Sequence, residues 1–255
     1  MRHELPGVGE NLRDHYVPRT RWLVGKKGIT FNDRGRGLGL VHQALRYALF
    51  RQGMLAMTGA PIRAFVCSRE GLEAPDLMLG WIPMLTDRTP RGPRISRQSD
   101  LTLYAHAMRP ESKGHVHIAA ADPRRPPAIN FIFLSSPPDG ELTVRAVRIA
   151  RAIMTAPAMT SFRVNEVAPG ADRTTDDEIL DWVKQAAETT YHPVGTCKMG
   201  SDPMAVVDSQ LRVHGIPGLR VADASIMPTL TSGNTNAPSI MIGEKAADMV
   251  LSAAG

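Results

Sequence analysis

The sequence predicts a mixed α+β (α/β) fold. Three observations carry this: short segments with strand-like alternation, longer segments with apolar residues at helical spacing, and the interleaving of both along 255 residues without repeats or low-complexity tracts. The opening stretch from Leu5 to Leu12 is dense in turn formers and reads as a loop. From Gly35 to Gly53 a Leu/Ala/Arg mixture places Leu45, Ala48 and Leu49 near helical spacing, with Gly53 as the stop. Pro75 to Trp81 is short, apolar and bracketed by breakers, which suits a strand, and Pro90 to Gln98 reads as a polar loop.

Leu101, Leu103, Ala105 and Ala107 alternate with Thr102, Tyr104 and His106, and the alternation resumes at His115-Val116-His117-Ile118. The expected arrangement is an antiparallel hairpin with a long turn over Arg109 to Gly114. Leu142, Ala146, Ile149 and Ile153 recur at helical spacing with arginines elsewhere, which defines an amphipathic helix to Met154. Thr175-Asp176-Asp177-Glu178 is a capping-box signature ahead of Ile179, Trp182 and Val183. Leu219 to Asp223 reads as a strand, and Pro238 suits the first turn of a terminal helix over Ser239 to Leu251.

With 43% hydrophobic and 22% charged residues, the chain is ordinary globular material. Its formal charge of +5 is dispersed, and 5% aromatics offer few platforms for bases, so no nucleic-acid partner is expected. Cys67 and Cys197 are too few for a disulfide framework and lack CxxC spacing, so a reducing compartment is the default and no metal is expected. The start has no apolar signal region, and no apolar run approaches the ~18 residues of a membrane span. The expectation is a soluble cytoplasmic protein without a transmembrane segment, peripheral membrane attachment being left open.

Two stretches carry chemistry. In Tyr191-His192-Pro193-Val194-Gly195-Thr196 a single imidazole is presented on a tight, non-helical backbone, where it could act as a base. Standing alone, it reads first as a structural or exposed histidine, as lone histidines usually are. Leu219 to Ser225, followed by Thr231-Ser232-Gly233-Asn234-Thr235-Asn236-Ala237-Pro238, leads into a helix start whose backbone N–H groups and dipole favour an anion. Taken alone, Gly233, Asn234 and Asn236 could simply make the turn. His106, His115 and His117 lie in strand-like alternation and are read first as structural side chains.

Together these stretches resemble the glucose-methanol-choline (GMC) oxidoreductases, especially choline dehydrogenase-like bacterial members. The resemblance rests on HPVGTCKMG from His192 to Gly200, Val207-Asp208, Leu211 to Gly215, Gly218 to Ser225, Met227-Pro228 and Asn234 to Asp248. It extends to LPGVGENLRDH from Leu5 to His15, Arg109 to Gly114 and Ala121-Asp122-Pro123. The resemblance implies a GMC substrate-binding domain over 16–192, with a six-stranded-type antiparallel sheet from about Tyr16 to Glu188. Residues 1–15 and 193–255 would be parts of an FAD-binding domain and would meet in space. It also implies FAD as cofactor, a primary, choline-like alcohol as substrate, and oxygen or a respiratory acceptor as electron partner.

By the same resemblance, His192 and Asn234 are the catalytic pair. His192 would take the substrate hydroxyl proton, Asn234 would fix the same oxygen, and a hydride would pass from the α-carbon to flavin N5. Asn236, Ala237 and Pro238 would set the helix N-terminus against the flavin's pyrimidine edge, and Asp223 and Ala224 would lie beside its ribityl or diphosphate portion. The glycine-rich GxGxxG turn that holds the pyrophosphate in such enzymes does not occur in the sequence. The expectation is therefore a carboxy-terminal portion, with Met1-Arg2-His3-Glu4 standing where relatives often read Val-x-His-Asp. The alternative is a folded, non-catalytic fragment or binding module unable to hold FAD alone.

Overall fold

A computed structural model describes residues 3–90 and 92–254. Met1, Arg2 and Gly255, at the ends of the expected terminal segments, and Arg91, within the expected polar loop, lie outside the described residues. In chain order the elements are β1 (Tyr16–Val17), β2 (Arg19–Val24), α1 (Phe31–Arg34), α2 (Gly37–Phe50), β3 (Ile62–Val66), β4 (Leu77–Ile82), β5 (Thr86–Thr89), β6 (Gly92–Ile95) and β7 (Asp100–Ala107). They continue with β8 (His115–His117), β9 (Ala128–Asn130), α3 (Pro137–Thr155), β10 (Arg163–Ala168), α4 (Asp176–Ala186), β11 (Glu188–Thr189) and α5 (Asn236–Ala254). Helices and strands are interleaved, as expected for a mixed α+β chain. Among the described residues no helix is long and apolar enough to cross a membrane.

The chain forms two compact units. One consists of Val17–His106 and Glu141–Glu188. Its centre is a five-stranded sheet in the order β10-β2-β7-β4-β3, five strands where six were expected. β2 runs antiparallel to both β10 and β7, with Trp22 opposite Leu101, and β3 runs antiparallel to β4. Every residue of β7 is buried, the polar Thr102 and His106 included, because β7 is a central strand covered on both faces. Helix α3 sets Leu142, Ala146 and Ile149 against Leu77, Leu79 and Ala105, and Ala150 and Met154 against Trp22, Leu101 and Leu103. Leu77 and Leu79 are essentially inaccessible, each stabilising the fold by roughly 1.5–3 kcal/mol.

The capping box ahead of α4 forms as predicted. Glu178 N donates to the Thr175 hydroxyl, and the Glu178 carboxylate accepts from the backbone of Thr175 and Thr174. Those backbone donors hold the Glu178 carboxyl below its ordinary value. A depressed folded value means that this contribution is present above the unfolded value and is lost as pH falls through the folded one. Thr175→Ala, which removes only the hydroxyl and leaves the Glu178 carboxylate its backbone donors, is expected to cost about 1 kcal/mol in urea unfolding at neutral pH. An unchanged midpoint at neutral pH would show that the box adds nothing.

Helix α2 confirms the expected Leu/Ala/Arg helix but stops earlier, at Arg51 in the left-handed region, whose N–H caps Tyr47 O. Three expectations need correction. β7 and β8 do not form a hairpin: the neighbours of β7 are β2 and β4, and β8 pairs with β9, His115 opposite Asn130. Arg109 to Gly114 is instead an anchored loop in which Asp139 accepts from Glu111 N (3.0 Å), Ser112 N (2.8 Å) and Ser112 Oγ (2.5 Å). The expected polar loop over Pro90 to Gln98 contains β6, paired antiparallel with β5; a ribbon this polar leaves no apolar alternation to read. Leu219 to Asp223 is not a regular strand. It makes one bridge, Arg212 to Arg220, flanked by Val213 N→Leu219 O (2.9 Å) and Val221 N→Leu211 O (3.1 Å).

Candidate active site

The second compact unit gathers the described residues up to Tyr16, Ala107–Gly140 and the described residues from Thr189 onward. The amino-terminal loop and the carboxy-terminal segment therefore lie in one unit, together with Ala107–Gly140. Its core consists of Val194, Val206, Val207, Leu211, Val213, Ile226, Met227 and Leu230 packed with Ile242 and Ala246 of α5, and Leu5 of the amino-terminal loop rests against it. That loop is clamped along the His192 segment. Arg13 and Val194 exchange both backbone hydrogen bonds at 3.0 Å, Gly9 N donates to Thr196 O at 2.8 Å, and Asn11 Nδ2 donates to Gly195 O and Pro228 O. Gly195 has φ +95°, and a Cβ there would lie 2.4 Å from Asn11 O, so both the turn and the close approach require glycine.

The clamp fixes the backbone around His192, which is only 9% exposed. Asp14, itself buried, accepts from His192 N at 3.0 Å and from the hydroxyls of Thr189 and Thr190. Thr189 Oγ1 accepts from Tyr191 N at 2.9 Å, turning the chain sharply before His192, with Tyr191 at φ 61°. On the imidazole, Nδ1 lies 2.8 Å from Thr190 Oγ1 and 3.0 Å from His15 Nδ1, and Nε2 accepts from Asn234 Nδ2 at 3.1 Å. His15 is fully buried, stands edge-on to His192 at an interplanar angle of 87°, and its Nε2 donates to Met108 O at 2.9 Å. The expected pair, His192 and Asn234, is thus in hydrogen-bond contact although 42 residues apart.

The other expected residues fall as follows. Asn236, Ala237 and Pro238 form the first turn of α5, where Ser239 N donates to Thr235 O at 3.0 Å. Asn236 and Ala237 are exposed, and their N–H groups precede any intrahelical acceptor. Asp223 is exposed and caps the short turn Ala224–Ile226 by accepting from Ser225 N at 2.7 Å. That turn is tied to the stretch after His192 through Cys197 N→Ser225 O and Met199 N→Ile226 O. Burial pushes the Cys197 thiol up, so it stays protonated and packs as a small apolar side chain. His115 and His117 stack on each other, with His117 Nε2 2.7 Å from Glu10 Oε1.

Sequence reasoning assigned no role to Asp14, His15, Thr189 or Thr190. Their signal was adjacency: Asp14-His15 closes the LPGVGENLRDH stretch, and Thr189-Thr190 immediately precedes Tyr191-His192. Desolvation raises the Asp14 carboxyl above its ordinary value against the opposing hydrogen bonds from Thr189 and His192 N. A raised folded value means that the stability Asp14 contributes is fully present below the unfolded value and declines as pH rises through the folded one. Asp14→Ala, which strands the His192 amide, is expected to cost about 2–3 kcal/mol. Asp14→Asn, which keeps one acceptor, should flatten the decline above about pH 4. Urea unfolding across pH reads both, and an alanine variant within about 0.5 kcal/mol of the parent would sink this role.

Comparisons with known proteins give the chain's family. A family model described as GMC oxidoreductase matches residues 110–243. Oxygen-dependent choline dehydrogenase of Cronobacter sakazakii is 39% identical over 97% of the chain, and that of Escherichia coli O45:K1 is equally similar. The chain spans 44% of the length of these curated relatives. Among solved structures, a formate oxidase superposes with a TM-score of 0.84 at 25% identity, covering 96% of the chain and 47% of that enzyme. Pyridoxine 4-oxidase from Mesorbium loti gives 0.79 at 25% identity, covering 97% of the chain and 44% of that enzyme.

Proposed function

Because the chain belongs to the GMC oxidoreductase family, we propose that it carries the substrate-side half of an FAD-dependent active site that oxidises a primary, choline-like alcohol to an aldehyde. The observation that carries this reading is the His192 Nε2 to Asn234 Nδ2 contact of 3.1 Å at the start of α5. Residues 1–15 and 193–255 are assigned to the FAD-binding domain and 16–192 to the substrate-binding domain.

The residues present fit a flavin. Asn234, Asn236 and Ala237 are exposed, a Cβ at Gly233 would meet nothing within 4 Å, and the first turn of α5 offers N–H donors at the positive end of a 19-residue helix. FAD, when bound, supplies the two-electron acceptor for a hydride from the α-carbon of the alcohol. Asn236, Ala237 and Pro238 place the helix end where negative charge would be stabilised, and Asp223 and Ala224 are assigned to the cofactor's ribityl or diphosphate side.

The substrate hydroxyl replaces the Asn234 amide at His192 Nε2, which takes the hydroxyl proton as the C–H bond breaks, and the released Asn234 amide donates to the developing alkoxide. Both groups are held before substrate arrives: His192 through Asp14 and Thr190, and Asn234 by the turn into α5. Oxygen, after the name of the relatives, or a respiratory acceptor closes the cycle, and the free thiols Cys67 and Cys197 suit a cytoplasmic enzyme. The test is product analysis on FAD-loaded enzyme assembled from this chain and the amino-terminal part of a relative. Choline or another primary alcohol should yield one aldehyde per flavin in a single turnover without oxygen, and no aldehyde from any primary alcohol would end this reading.

A further inference from the structure

We propose that His15 is a positioning residue that fixes the tautomer of His192, holding the proton on Nδ1 so that Nε2 faces the site with its lone pair. The inference rests on the reading of His192 as the base, and the geometry enters from both ends of one chain of hydrogen bonds. At the inner end Met108 O can only accept, so the His15 nitrogen 2.9 Å away, Nε2, must carry a proton. A neutral imidazole with Nε2 protonated has an accepting Nδ1, and that atom lies 3.0 Å from His192 Nδ1. Two accepting nitrogens cannot share this contact, so His192 Nδ1 is the donor.

At the outer end Asn234 Nδ2 can only donate, and it lies 3.1 Å from His192 Nε2, which therefore accepts. Both ends assign the same tautomer. Thr190 Oγ1, 2.8 Å from His192 Nδ1, has Asp14 Oδ1 within reach at 3.3 Å for its own proton, so it is a second acceptor for the Nδ1 proton. Asp14 fixes the backbone on the same side by accepting from His192 N. His15 itself stays out of contact with substrate: it is fully buried, and its two ring nitrogens are engaged by Met108 O and His192.

The tautomer is read directly by long-range proton–nitrogen NMR on the ¹⁵N-histidine-labelled chain, co-expressed with the amino-terminal part of a relative to keep it monodisperse, with no substrate present. At a pH where His192 is neutral, its Nδ1 is expected to show the protonated nitrogen shift and its Nε2 the unprotonated one, with a nitrogen–nitrogen coupling across the His15–His192 hydrogen bond. A neutral His192 protonated on Nε2 would overturn the proposal. In His15→Phe the Nδ1–H to Nε2–H ratio should fall about tenfold, the factor for one hydrogen bond of ordinary net strength. Thr190→Val should retain the Nδ1–H form.

A folded His15→Phe variant with an unchanged ratio would refute the role and leave the tautomer to Thr190. If His15→Phe does not fold, the coupling in the parent protein decides: its presence supports the proposal and its absence refutes it. In flavin-loaded enzyme the same variant should lower kcat about tenfold with KM nearly unchanged. The NMR result stands whether or not the reaction is alcohol oxidation, so failure of that reading and failure of this one remain distinguishable.

Discussion

Replacing His192 by alanine in the FAD-loaded enzyme is expected to lower turnover about 10²–10⁴-fold while flavin content and fold stay near those of the parent. The side chain is the proton acceptor at the reacting oxygen, and its removal takes away no backbone partner: the His192 amide still donates to Asp14, and Thr190 keeps Asp14 as its partner. Asn234→Ala should cost less, roughly 10²-fold, because it removes one donor to the developing alkoxide and leaves the base in place. Since the pair acts on one oxygen, the double variant should lose less than the product of the two factors. Turnover in His192→Ala within about threefold of the parent would remove His192 from the chemistry.

The second large effect concerns flavin retention by the 255-residue chain. On the proposed reading the ADP half of FAD is held by a GxGxxG turn, which these 255 residues do not contain, and the chain spans 44% of the length of its curated relatives. Its site unit also presents large apolar side chains to solvent: Tyr191 is 77% exposed, Ile240 60% and Met241 54%. Exposed apolar groups of this kind are covered by a partner or favour association. Purified alone, the chain is expected to be colourless and to aggregate readily. Co-expressed with the amino-terminal part of a relative, it should be yellow and monodisperse. A soluble, cooperatively melting chain that gains nothing from that partner would instead favour a self-contained binding module.

Much of this was legible in the sequence because the signals were local. The capping box at Thr175, the amphipathic spacing of α3 and the tight, non-helical backbone after His192, where Gly195 takes φ +95°, each reside within a few consecutive residues, and each takes the predicted form. The His192–Asn234 pair was reachable only through the resemblance, since nothing in the spacing of two residues 42 apart says that they touch. Strand partners failed for the same reason. β7 alternates like a hairpin arm, yet its pairing with β2 across about 80 residues depends on the whole sheet. The support around His192 was hidden more deeply. Asp14 and His15 read as the end of a loop motif, and their function emerges only when that loop is clamped against Val194 and Gly195.

The most direct test of the central claim is to add a primary alcohol to FAD-loaded enzyme without oxygen and follow the flavin absorbance. The account predicts that the oxidised flavin bleaches fully in one phase in the parent, that α-deuteration of the alcohol slows that phase, and that His192→Ala slows it by orders of magnitude with flavin retained. Flavin that stays oxidised with every primary alcohol tried, or that bleaches at the parent rate in His192→Ala, would contradict it.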